Sequence, residues 1–147
     1  MFEKFGEFSS FEEINKAAEG FLNEGDIESI KAMAMENGLD DMDTEDYING
    51  DTDKLCNVRQ AAVGRLKVEK EACAADKEIM RVLFMIAESM AATGDDPGMF
   101  LTKGKRLEGI VKEMREEAAK NKKNGVGVVC GTDLELVKRI RKYYGRQ

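Results

Sequence analysis

The stretch VLFMIAESMAA, residues 82–92, decides how this chain folds. Only Glu88 and Ser89 interrupt its apolar side chains. Wound at helical pitch, it is apolar on nearly all sides, which is the pattern of a helix at the centre of a core. It closes a run from Asp53 to Ala92 that contains no proline and a single glycine, Gly64. Globular helices stop well short of that length, so the run predicts helical structure with a break or bend near Asp76.

Outward from this run, both flanks are helical in pattern. Ser10-Phe11-Glu12-Glu13 has the form of a capping box, with Glu13 returning to the cap's own N–H. Phe11, Ile14, Ala17, Ala18, Phe21 and Leu22 then recur at spacings of three and four, up to Gly25. Asp26 caps a second helix with Ile27, Ile30, Met33 and Ala34 inward, ending near Asn37-Gly38. Asp43 or Thr44 starts a short third helix that Gly50 stops, and Thr52 or Asp53 caps a fourth with Leu55, Val58, Ala62 and Leu66 inward. On the other side, Asp96 before Pro97 reads as a cap with proline at the first helical position. A helix carrying Leu107, Ile110, Val111, Met114 and Ala118 follows Gly104. After the basic turn KNKKNG (120–125), VGVVC (126–130) has the composition of a short strand. No second strand is evident, so this segment either pairs with a partner or a second copy, or runs as an extended linker. Thr132-Asp133-Leu134-Glu135 forms a second capping box, opening a last helix with Leu134, Val137, Ile140, Arg141 and Tyr144 on one side. The expected fold is all-α, a helical bundle of about six or seven helices with at most one short strand. Residues 1–147 form one domain, with a subdivision into an acidic three-helix segment (1–50) and a core with a basic end (51–147) left open.

Composition limits the chemistry. A chain of 147 residues buries roughly 68–70% of its extended surface. No apolar run reaches the ~18–20 residues of a membrane span. The start, MFEKFGEF, lacks the pattern of a signal peptide, so a cytoplasmic protein is expected. There is no histidine, which removes histidine-based nucleophile systems and imidazole zinc sites. Cys56, Cys73 and Cys130 have neither zinc-knuckle nor redox spacing and read as reduced. No phosphate-binding glycine loop stands in a strand–helix context, so neither cofactor nor metal is expected.

Charge is polarised. Residues 1–53 hold 16 acidic and 3 basic side chains, whereas residues 103–147 hold 6 acidic and 13 basic. Either the two ends face each other, or each meets a partner of its own. In the acidic part, LDDMDTEDYINGDTDK (39–54) invites comparison with a calcium loop. A register from Asp41 puts Asp46 where glycine must stand and Thr52 where a bidentate glutamate must stand. A register from Asn49 puts Lys54 and Gln60 there, so both fail. Most of these carboxylates fit as helix caps, and Asp40, Asp41 and Asp51 remain as an acidic surface. In the basic part, Lys138, Arg139, Arg141, Lys142 and Arg146 surround Tyr143 and Tyr144, a mixture that suits phosphates and bases.

Residues 103–144 also carry a resemblance. KGKRLEGIVKEMREEAAK, a basic gap, GVGVVC, a T-D-L-E step and LVKRIRKYY follow one another. That order resembles the C-terminal part of PcfK-like proteins of conjugative plasmids and other mobile elements in Gram-positive bacteria. Those chains carry a Trp and a His in the last helix where this one has basic residues such as Lys138, Arg139 and Arg141. FEKFGEF and A-x-E-N-G-L-D are similar to small proteins of gut bacterial mobile elements. The resemblance implies a setting, mobile-element accessory function, and assigns no chemistry. Residues and resemblance together lead to a non-enzymatic protein that binds a protein or nucleic acid through Lys138, Arg139, Arg141, Lys142, Tyr143 and Arg146. The alternatives are an acidic mimic of nucleic acid that blocks a host protein such as a defence nuclease, and a structural homodimer joined through 126–130.

Overall fold

The computed structural model describes residues 1–73, 77–120 and 133–146, and within them the chain is all-α. The helices are α1 (Phe11–Asn23), α2 (Ile27–Glu36), α3 (Asp41–Ile48), α4 (Val58–Ala72), α5 (Lys77–Thr93), α6 (Glu108–Lys120) and α7 (Asp133–Tyr143). A 3-10 turn, Pro97–Leu101, lies between α5 and α6. The long run is therefore two helices, with α4 ending at Cys73 in extended backbone. The strand and dimer contact expected at 126–130, and the Thr132 cap, lie outside the described residues.

Caps explain most boundaries and correct several. Ser10 accepts from the Glu13 N–H as expected, but Glu13 reaches past the cap to the N–H and hydroxyl of Ser9. Asp26 accepts from the Ser29 N–H at 3.1 Å. Helix α3 starts earlier than its sequence suggests, because Asp40 takes the N–H groups of Met42 (2.7 Å) and Asp43 (3.3 Å). Helix α4 starts later. Asn57 and Gln60 form a reciprocal box at 2.8 Å in each direction, which outcompetes Thr52 and Asp53. Leu55 is buried but precedes the helix. Asp96 makes no side-chain cap, since its carboxylate accepts instead from Arg146 at 2.7 Å. In α7 and the residue after it, the buried side chains are Leu136, Ile140 and Tyr144, so Ile140 and Tyr144 lie inward as expected while Leu136 takes the place expected of Leu134. Leu134 is 64% exposed in consequence. Ile27, expected inward on α2, is exposed as well.

Two apolar clusters fill the interior. One gathers Ile14, Ala18, Ile30, Met33, Tyr47 and Leu55 from the first three helices and the segment after them. The other gathers Leu83, Phe84, Ala87, Phe100, Ile110 and Ile140, so the 82–92 stretch does sit in a core. Each such large side chain taken from water is worth about 1.5–3 kcal/mol. Helix α4 serves both clusters, Ala61 facing the first while Ala62 and Leu66 face the second. The 3-10 turn does the same, with Leu101 on one side and Met99 and Phe100 on the other.

A backbone crossing docks α2 on α4. Gly38 ends α2 with φ of +69°, and the Leu39 N–H returns to Ala34 O at 2.9 Å. This turn lies directly on α4. A Cβ on Gly64 would collide with the carbonyl oxygen of Asn37, and one on Gly38 with that of Gly64. The lone glycine of the 53–92 run is thus a contact point between helices.

Candidate functional site

Three of the five expected cations, Arg139 and Arg141 of α7 and Arg146 just beyond it, are engaged within the protein. Arg139 forms a two-pronged pair with Glu117 of α6, at 3.0 and 2.8 Å, which holds the Glu117 carboxyl below its usual range. Arg141 reaches Asp95 at 3.4 Å, and Arg146 reaches Asp96 at 2.7 Å. Tyr143 packs inward, with its hydroxyl against Gly109 and its ring edge-on to Tyr144 at 5.1 Å. The Lys105 ammonium lies 5.2 Å from the Tyr143 ring centroid and donates to the Tyr143 carbonyl at 2.6 Å. Of the expected set, Lys138 and Lys142 remain exposed, and neither forms an ion pair among the described residues.

The open positive charge lies one helix away. A groove of about 520 Å3 runs between the start of α6 and the end of α7. Arg106, Lys112 and Arg115 line it together with Tyr143, and Glu108 is the carboxylate on its rim. All three cations are exposed and form no ion pair among the described residues. Lys112 and Arg115 were not among the expected residues. Their signal was present as a three-residue spacing on the flank of α6 next to the buried stripe of Ile110, Val111 and Met114. Four of the nearby backbone donors are already used. Arg106 N–H meets the Tyr143 hydroxyl (3.4 Å), Leu107 N–H meets Glu69 (2.7 Å), and Gly109 and Ile110 N–H close turns onto Arg106 and Leu107 carbonyls.

Behind the groove lies a buried ionic cluster that sequence spacing did not reveal. Arg65, 2% exposed, bonds Glu69 one turn on at 3.0 Å, Glu7 of the N-terminal segment, and the Lys105 carbonyl at 3.1 Å. Glu7 also takes the Gly104 N–H at 2.7 Å, and the Phe2 ring lies 4.8 Å from the guanidinium. Burial pushes the Glu69 carboxyl up, against the opposing pull of the Leu107 N–H and Arg65. The signal was the i,i+4 pair Arg65/Glu69 on the same stripe as Ala61, Ala62 and Leu66. Tyr144 is buried beside this cluster, and its hydroxyl has no hydrogen-bond partner among the described residues.

The acidic third divides into caps and surface. Asp40, expected as open surface, is the α3 cap. Asp43 accepts from Gln60 at 3.2 Å and Glu45 pairs with Lys31 at 3.4 Å. Asp41 and Asp51 are exposed, and so is Met42, which follows Asp41 in sequence. Among the described residues no ion pair joins residues 1–53 to residues 103–147, although Glu7 accepts from the Gly104 N–H, and the Lys103 charge adds to the Ser9 hydrogen bonds that hold the Glu13 carboxyl below its usual range. Cys56 is buried, with its N–H on Asn15 at 3.0 Å, and burial pushes its thiol up to about 12. It carries negligible thiolate at neutral pH. No helix of the described residues is long and apolar enough to cross a membrane.

Comparison with protein-family models, curated proteins and solved structures finds no match to this chain.

Proposed function

We propose that the protein is a non-enzymatic, cytoplasmic accessory protein that binds an anionic macromolecule through its basic C-terminal third. The observation that carries this reading is the groove where Arg106, Lys112 and Arg115 stand exposed around Tyr143 with no ion pair among the described residues. Cations that only complement a fold find partners within it, as Arg139, Arg141 and Arg146 do. The resemblance of residues 103–144 to PcfK-like proteins supplies the mobile-element setting. The test is affinity capture from a bacterial lysate, with and without nuclease treatment, comparing the natural chain with Arg106→Ala/Lys112→Ala/Arg115→Ala. A retained species that the triple variant loses supports the reading, and identical capture by both contradicts it.

A second reading has its own support. Asp41, Asp46 and Asp51 are exposed in the acidic third, and Met35 and Met42 nearby in sequence are 74% and 77% exposed. Such a surface suits a basic, adaptable partner, as a nucleic-acid mimic requires. Reversing Asp41, Asp46 and Asp51 to lysine spares the Asp40 cap. Under this reading it abolishes capture without lowering Tm, and under the first it leaves capture intact.

A further inference from the structure

We infer that the Arg106–Lys112–Arg115 groove takes the phosphate backbone of double-helical nucleic acid and does not read its sequence. The inference rests on the proposed binding role of the basic third and names the partner.

Three features of the groove select among anions. A small phosphate ligand is commonly cradled by converging backbone N–H groups. Here the Arg106, Leu107, Gly109 and Ile110 N–H groups are committed inside the protein. What remains is a set of long cationic arms on a concave surface, which suits an extended polyanion better than a captured metabolite. Protein partners are held by an apolar or aromatic centre with a polar rim. The exposed large apolar residues Leu22, Ile27, Met35, Met42, Val63, Val82, Met85 and Leu134 all lie outside this groove, and Val111 in its wall is buried. Nucleic-acid interfaces are more polar and more positive, as this one is. Single-strand binders add aromatic rings on which bases stack. Tyr143 is the one aromatic residue lining the groove, and it is committed to Lys105, Gly109 and Tyr144. That leaves the regular phosphate rows of a duplex. Contact with phosphates positions a protein without specifying sequence.

The expected binding is weak and steep in salt. Three phosphate contacts give a log–log slope of about −2.7, an affinity loss of about forty-fold between 50 and 200 mM salt. The experiment measures fluorescence anisotropy on a 20-base-pair duplex of mixed sequence, on one of its strands, and on polyglutamate of matched charge, from 20 to 200 mM salt. Duplex is expected to bind tightest, with that slope and the same affinity for a second, unrelated sequence. Arg106→Ala/Lys112→Ala/Arg115→Ala is expected to weaken it at least tenfold at 20 mM and bring the slope to about −1 or flatter. Circular dichroism checks that the variant folds; if it does not, Lys112→Gln and Arg115→Gln singly must each remove about one unit of slope. Polyglutamate bound as tightly as duplex and lost in the variant overturns the nucleic-acid inference while the anionic-partner reading stands. Tighter binding of the single strand overturns the duplex assignment. Unchanged duplex binding by the variant overturns the groove, and failure of all three polyanions to bind overturns both readings.

Discussion

Gly64 and Tyr144 show how far a single residue's role depends on what it touches. By helix propensity alone, Gly64→Ala should stabilise α4 by about 1 kcal/mol. The Asn37 carbonyl occupies the place where that methyl would go. The variant is therefore expected to lose about 1–3 kcal/mol, as overpacked contacts do, with the sign opposite to propensity. Urea denaturation decides it, and any gain in stability would mean that α2 and α4 are not in backbone contact. Tyr144 presents the converse case. Its ring is edge-on to Phe100 at 5.3 Å, while its hydroxyl is buried without a partner among the described residues. Tyr144→Phe keeps the ring and removes the orphan group, so stability is expected to hold or rise by about 1 kcal/mol. A loss of that size in the same denaturation assay would show that the hydroxyl is bonded.

At the scale of elements, helix type and most inward faces were legible and several helix boundaries were not. Every helix described here was expected from apolar spacing, since a period near 3.6 is visible without tertiary context. Boundaries depended on competition between neighbouring caps. Residues 39–57 hold Asp40, Asp43, Thr44, Thr52, Asp53 and Asn57, all of them residue types that cap helices. Asn57 prevails because Gln60 answers it, a reciprocity open to reading in the sequence. Leu134 is exposed because partners set where the inward stripe of α7 begins, so Leu136 replaces it while Ile140 and Tyr144 stay inward as expected. The caps also predict how these helices respond to acid. The Ser29 hydroxyl and N–H hold the Asp26 carboxyl below its usual range, and the Ser9 N–H and hydroxyl do the same for Glu13. A lowered folded value means that both carboxylates stabilise the fold above the unfolded pKa of about 4 and stop doing so as pH falls through the folded one. Tm measured from pH 7 to pH 2.5 is expected to drop on the acid side. Asp26→Asn still accepts from Ser29 but does not titrate, so it should make that drop shallower. An equally steep acid limb in the variant would remove Asp26 from the explanation.

At the scale of the whole molecule, the opposed charge of the two ends was plain in the sequence, but its use was not. Counting cations singled out α7, where they are densest. Pairing depends on which carboxylates the fold brings near, and it engages Arg139, Arg141 and Arg146 with Glu117, Asp95 and Asp96. The sparser cations of α6 stay open beside a groove shaped by Tyr143 and Gly109, where Glu108 is present but forms no ion pair with them. Arg65 was hidden for a related reason: a charged residue on an apolar stripe is interpretable only once Glu7, Glu69 and the Lys105 carbonyl are seen around it. Binding charge is therefore expected on α6, at Lys112 and Arg115, and structural charge at Arg139 and Arg141 of α7. This division is tested most directly by the salt concentration at which two variants of equal charge elute from immobilised heparin. Lys112→Glu/Arg115→Glu is expected to elute well below the natural protein with Tm nearly unchanged. Arg139→Glu/Arg141→Glu is expected to lower Tm and shift elution less. A larger elution shift from the α7 pair, or equal shifts from both, would contradict the account.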